Sequence, residues 1–325
     1  MLEIYVAPVN GDFSTITEAI QAVPYGEEAV IRIGEGTYRE KIFSEKKNIS
    51  FIGEGPGKTV LEYGDGAFDE MADGSKRGTF RSYTAFLGGE RCVVKDMTIR
   101  NTAGDGRTAG QALAVYADAR ECIFENVDLE GCQDTLFMAP LPMTERQKNG
   151  FMGPRVMTER VLTKQYYKNC RITGDVDFIF GGADAVFDDC DITCNNRNEE
   201  INGYITAPCG LSGNIGMIFR NCRIHGAAGC SDNSVFLGRP WRDEAKAVFL
   251  SCTMDKAIAP ERFSGWGAIS KDQPDTFFGE YGSVTANGDI IDLSHKNPWV
   301  KEIDESTARE LGSKADFIIT KCLSL

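Results

Sequence analysis

Six segments of one form recur along the chain: KDMTIRN from Lys95, ENVDLEG from Glu125, KNCRITG from Lys168, DDCDITC from Asp188, RNCRIHG from Arg220 and LSCTMDK from Leu250. Most set a polar pair ahead of a small or medium apolar residue, then a polar residue and an aliphatic one. The third positions are Met97, Val127, Cys170, Cys190, Cys222 and Cys252, spaced 30, 43, 20, 32 and 30 residues apart. Such spacings suit solenoid coils of about 20 to 30 residues with loops inserted at corners. Apolar alternation of period two precedes several of them, as in QYYKNC, AVFDDC, MIFRNC and AVFLSC. That period means strands, and strands recurring this way without long helical stretches between them predict an all-β parallel β-helix.

In such a helix, residues of equal phase stack about 4.8 Å apart. Cys170, Cys190, Cys222 and Cys252 then fall in one inward column as buried free thiols. A metal site does not fit, because no CxxC pair occurs and the two histidines, His225 and His295, stand far apart in sequence. Thr15 followed by Glu18 forms a capping-box pattern. It opens an apolar helical face of Ile16, Ala19, Ile20 and Val23 that Pro24 stops, and this helix is expected to plug the first coil. Ser306 to Lys314 reads as another short helix, a C-terminal cap. No Pro/Gly/Ser linker divides the chain, so residues 1–325 are expected to form one domain.

A net charge of −13 without any Lys/Arg-rich run argues against nucleic acid as a partner. An acidic surface also repels polyanions, though not their neutral esters. No apolar stretch approaches the roughly 18 residues that would span a membrane, so no membrane partner is expected. The first 24 residues lack the pattern of a signal peptide. The chain as it stands reads as cytoplasmic; a secreted chain shorn of its leader would read the same. A monomer is the simpler expectation, with an oligomer contact as the alternative.

Asp134 lies seven residues after Val127, and Asp177 seven after Cys170. With the extra residues between them looped out, the two carboxylates share a phase on adjacent coils. Two carboxylates so close do not both ionise easily, which makes an acid and a base at one site. The same phase also fits stacked corner residues that bond backbone N–H groups. Gln111 and Gln133 offer neutral amide donors for an oxyanion, and Arg239 can hold a carboxylate ionised by a bidentate contact.

The motifs GTYRE from Gly36, TFRS from Thr79, NTAG from Asn101, GQALAV from Gly110, QDTLF from Gln133, DFIFG from Asp177 and LGRPW from Leu237 resemble, in that order, those of the pectin methylesterases. The likeness runs from Val6 to about Gly288 and implies a right-handed parallel β-helix. It also implies an enzyme without a cofactor that removes methyl esters from galacturonate units of pectin or oligogalacturonides. By this resemblance Asp177 is the nucleophile and Asp134 the acid that protonates methanol and then the base that activates water. Gln133 stabilises the oxyanion, with Gln111 binding substrate beside it, and Arg239 orients Asp177. Trp241 offers a face to a sugar ring, and Thr79 is a further substrate contact. Gly36 and Gly104 suit turns, and Glu40 a polar coil corner. Phe178 and Phe180 point inward by strict alternation from an outward Asp177, unless a local bend intervenes.

The chain departs from the family in a segment from about Met138 to Thr163. Its Pro140, Pro142, Gly150, Gly153 and Pro154 suit an irregular loop. Rooted four residues after Asp134, it is expected to wall the cleft and favour short oligomers, or else to fold away. A serine esterase is set aside because GxSxG is absent. A glycoside hydrolase on the same scaffold and a noncatalytic carbohydrate-binding solenoid remain as rivals, separable by methanol release.

Overall fold

The computed structural model describes residues 1–266 and 276–324. Its strands pair in parallel, each with the strand one coil before and one coil after, and form a right-handed parallel β-helix with three faces. The long strands Arg91–Asn101 and Glu121–Glu130 run through the first two faces. Later coils split that run at the corner. Lys164–Lys168, Asp184–Asp188, Met217–Arg220 and Lys246–Leu250 continue the first face, while Arg171–Gly174, Asp191–Cys194 and Arg223–Gly226 continue the second. The third face stacks Ile42–Ser44, Ala85–Leu87, Val115–Ala117, Leu136–Met138, Val176–Gly181, Gly203–Pro208 and Val235–Gly238.

The corner between the first two faces explains the polar pair in most repeats. Its second residue takes a left-handed conformation, with φ of 55° at Asp96 and Asn126, 51° at Asn169, 54° at Asp189, 55° at Asn221 and 54° at Ser251. Asn and Asp tolerate that region better than other residues with a Cβ. Their side chains also link coils: Asn126 Nδ2 donates to Asp96 Oδ1 at 2.6 Å.

Immediately after this corner, Met97, Val127, Cys170, Cys190, Cys222 and Cys252 are all buried. Register places each over the last, as expected. Each thiol of the column donates to the carbonyl of an aromatic residue on the preceding coil. Cys170 reaches Phe124 O, Cys190 reaches Tyr167 O and Cys222 reaches Phe187 O at 3.4 Å, and Cys252 reaches Phe219 O at 3.7 Å. Those aromatics form their own column, with Phe124, Tyr167, Phe187, Phe219 and Phe249 stacked at 4.8, 4.5, 4.4 and 4.5 Å between centroids. Burial pushes the thiols of Cys190, Cys222 and Cys252 well above their usual pKa. The column cysteines should therefore resist a thiol reagent in native protein and react fully in denaturant, as mass spectrometry can follow. Labelling of Cys190 or Cys222 at the same rate in both states would contradict the column.

The N-terminal helix spans Ile16–Ala22 and carries the expected capping box, Thr15 accepting from Glu18 N. Glu40 is more than a corner residue: its carboxylate accepts from Ile16 N, Thr17 N and Thr17 Oγ1, capping the positive end of that helix. The C-terminal helix is longer than its polar start suggested, running from Glu305 to Leu323. Leu311, Ala315, Ile318 and Cys322 pack with Ile123, Tyr166, Val186, Ile218 and Val248 on the outside of the first face. It therefore covers a flank of the solenoid. No helix among the described residues is long and apolar enough to cross a membrane.

Candidate active site

The register that pairs Leu136 with Ile179 on the third face also sets Asp134 opposite Asp177, and Asp134 N donates to Val176 O at 3.0 Å. Both aspartates have positive φ, 65° and 53°, at the start of their strands. The turn at Asp177 comes with a register irregularity between Val176 and Ile179. This irregularity resets the alternation. Phe178 is inward as expected, buried with the solenoid core, but Phe180 faces the cleft with Phe80, Phe137, Phe151 and Trp241. Strict period-two counting fails there because Phe178 and Ile179 both pack into the solenoid core, which carries Phe180 to the cleft side.

Two coils beyond, Arg239 follows the strand Val235–Gly238, and its N–H donates to Thr206 O at 2.9 Å. Its guanidinium grips Asp177 as a fork, Nε to Oδ1 at 2.8 Å and Nη2 to Oδ2 at 2.7 Å. The same guanidinium lies between two aromatic rings, 3.9 Å from the centroid of Tyr204 and 4.1 Å from that of Trp266. Stacking and bidentate bonding together fix its plane.

Asp134 and Asp177 are 7% and 6% exposed, so their electrostatics are set by burial before anything else. Burial and then the negative charge of Asp177 raise the pKa of Asp134 well above the carboxylate range. For Asp177, burial also raises the pKa, but the two bonds and the charge of Arg239 oppose it. The proton of the pair therefore belongs on Asp134 and the charge on Asp177. Gln133 hydrogen-bonds Asp134. Gly106 backs the Gln133 side chain so closely that a Cβ there would stand 2.6 Å from Gln133 Oε1.

These groups open into a cleft of about 350 Å³. All seven residues singled out in the sequence, Thr79, Gln111, Gln133, Asp134, Asp177, Arg239 and Trp241, line it. The sequence reading missed Phe80, Arg146, Gln147, Phe151, Phe180, Arg242 and Trp266, which line it too. Arg146, Gln147 and Phe151 come from the 138–163 segment, so that segment does wall the cleft. Phe151 is buried in the aromatic cluster, 6.4 Å from Trp241 and 5.8 Å from Phe80. Farther along, Arg155 ties the segment to the coils through Asp118 at 2.5 Å and Glu45 at 2.6 Å.

Comparison with known proteins agrees with this geometry. The pectinesterase family profile matches residues 3–147 and 160–318, and the interval it skips lies within the cleft-walling segment. A probable pectinesterase/pectinesterase inhibitor of Arabidopsis thaliana is 34% identical over 94% of this chain, which spans 48% of that relative. Pectinesterase 31 of the same plant is 30% identical, covering 92% of this chain and 86% of its own length. Among solved structures, pectin methylesterase from carrot superposes with a TM-score of 0.76 at 28% identity, over 97% of this chain and 95% of that one. The chain belongs to the pectinesterase family. It spans about half the length, or less, of several curated relatives it matches.

Proposed function

We propose that this cleft hydrolyses methyl esters of galacturonate units in pectin or its oligomers. The observation that carries the reading is a buried carboxylate, Asp177, gripped by a stacked, bidentate Arg239 beside a second buried carboxylate, Asp134. Asp177 attacks the ester carbonyl carbon, and the electron pair moves to the carbonyl oxygen. As the tetrahedral intermediate collapses, the proton of Asp134 passes to the departing methoxide, releasing methanol and leaving an anhydride on Asp177. Asp134, now ionised, takes a proton from water, whose hydroxide attacks the former ester carbon. The acid product leaves, Asp177 regains its charge and Asp134 its proton. No cofactor enters this cycle. Aromatic Trp241 receives a sugar face, and Gln111 and Thr79 contact the substrate.

The test is methanol release from methyl-esterified oligogalacturonides without new reducing ends. Reducing ends without methanol would instead make the protein a glycoside hydrolase. Gln133 serves the oxyanion once substrate is bound, so Gln133→Ala should lower kcat by about 10²-fold or more with little change in KM. A defect wholly in KM would make Gln133 a ground-state contact.

The wall built by the 138–163 segment favours short substrates in this reading. Phe151→Ala keeps both roots of the segment while removing its packing against Trp241. The ratio of kcat/KM on polymeric pectin to that on a methylated trimer should rise in this variant. An unchanged ratio, with the wild type already preferring polymer, would discard the oligomer preference.

A further inference from the structure

The 138–163 segment meets the coils at both ends of one aromatic row. Register on the third face stacks Phe86, Tyr116, Phe137 and Phe180, with ring centroids 4.9, 4.7 and 5.0 Å apart. Trp241 closes the row at 5.6 Å from Phe180. Phe151 packs at the Trp241 end, inside the cleft. Gly153 runs so close to the coils that a Cβ there would stand 2.7 Å from Phe80 O. Arg155 reaches the other end, its guanidinium 5.0 Å from the Phe86 centroid. There it lines a second cavity, of about 250 Å³, and not the cleft.

That far end is a socket built from three coils. Arg155 Nε donates to Asp118 Oδ2 at 2.5 Å, and Nη1 pairs with Glu45 Oε1 at 2.6 Å. Asp118 follows the strand Val115–Ala117 and Glu45 follows Ile42–Ser44, two coils away. Gly88 follows the strand between them, Ala85–Leu87, and a Cβ on it would stand 2.9 Å from Arg155 Nη2. Glycine therefore leaves the guanidinium its place. Burial lifts the pKa of Asp118 to about 6 against the pull of Arg155, so this carboxylate depends on the guanidinium it holds. Among the described residues, both ion pairs between the segment and the coils belong to Arg155. The cleft end is held differently, by the packing of Phe151 and by hydrogen bonds of Arg146 to Trp241 O and of Arg242 to Thr144 O. Inside the segment Arg160 donates to the carbonyls of Arg155 and Thr158 at 2.6 and 2.8 Å. The family profile stops at 147 and resumes at 160, which leaves Phe151, Gly153 and Arg155 in this chain's own part of the wall.

We propose that Arg155 is a positioning residue that sets substrate-length selection from outside the cleft, by anchoring the wall in its three-coil socket. The selection rests on the esterase reading and on the wall described with it, whereas the anchor is a separate claim. Arg155 touches neither the reacting carboxylates nor the space between them, so its effect falls on what can lie along the cleft and not on the chemical step.

Two variants test this, Arg155→Met alone and Arg155→Met with Asp118→Asn, the second leaving no buried carboxylate without a partner. Hydrogen exchange needs no substrate: in both variants the amides of residues 145–157 should exchange about tenfold faster or more, with the coils unchanged. The ratio of kcat/KM on polymeric pectin to that on a methylated trimer should rise about fivefold, through KM and with kcat held. Adding Phe151→Ala should change that ratio little further, because both substitutions undo one wall. If Arg155 serves only the stability of the fold, its variants will melt earlier and lose activity on both substrates alike, with KM and the ratio unmoved, and the proposal is overturned. Unchanged exchange in the segment overturns it as well. Faster exchange with an unchanged ratio keeps the anchor but removes length selection, and with it the oligomer preference assigned to the wall. A wild type that releases no methanol would sink the esterase reading alone; the exchange still decides the anchor, and calorimetric affinities for trimer and polymer then decide the selection.

Discussion

Asp177→Asn should abolish methanol release while leaving the protein folded. The argument has a backbone half and a chemical half. Asp177 sits at φ 53°, where most residues with a side chain are strained. Asparagine shares the tolerance of aspartate for this region, so the turn that starts Val176–Gly181 keeps its shape. Alanine would confuse loss of chemistry with strain, and asparagine avoids that. Chemically, the amide can still accept one bond from Arg239, but it has no anionic oxygen to attack an ester carbonyl. The variant removes one buried charge but leaves Arg239, 21% exposed, without its anion, so a modest loss of stability is expected and not unfolding. Methanol assay and thermal melting of one preparation check both halves. Turnover above a few per cent of wild type, in protein free of deamidation, would show that Asp177 is not the nucleophile.

The reach of the sequence has a physical boundary in this chain. Phase counting found Asp134 and Asp177 because parallel coils stack in register, so equal offsets from Val127 and Cys170 become equal heights on the third face. The same logic found the thiol column. It did not explain why a polar pair precedes most column residues, since the left-handed corner at Asn126, Asn169 and Asn221 is a backbone property. The signal was there in the repeated Asn and Asp. Phe180 was misplaced by strict counting because the strand is irregular between Val176 and Ile179, where two successive residues, Phe178 and Ile179, face the core. Arg146 and Trp266 lie in segments between coils, where no repeat phase exists to place them. Their composition gives no hint that two chain regions far apart in sequence meet over one cleft. The C-terminal helix was found by its start and not its end. Its later apolar residues, such as Ile318 and Cys322, gain their meaning only from the outer face of the first sheet.

Arg239→Ala should be the most damaging single change to the fold among the cleft residues and should also cut kcat by orders of magnitude. Asp177 is 8% exposed at its side chain, and Arg239 is its sole ion-pair partner among the described residues. Removing that partner strands a buried carboxylate, a change that usually costs about 3–5 kcal/mol. It also leaves Tyr204 and Trp266 without the cation between their rings. The pH dependence separates this from a packing defect. Burial already lifts the pKa of Asp177, and Arg239 is what restrains it; without Arg239 the pKa rises further. A group whose folded pKa exceeds its unfolded value adds stability that is complete below the unfolded value and is lost as pH rises through the folded one. The variant should therefore be closest to wild type in stability near pH 4 and fall behind between about pH 5 and 8. Its kcat/KM should need more alkaline solution to develop, because attack requires ionised Asp177. In the Asp177→Asn background no charge is left to strand, so adding Arg239→Ala should cost much less than it does alone. A deficit that stays constant from pH 4 to 8, and persists undiminished beside Asp177→Asn, would mean that Arg239 matters for its packing and not for the carboxylate it holds.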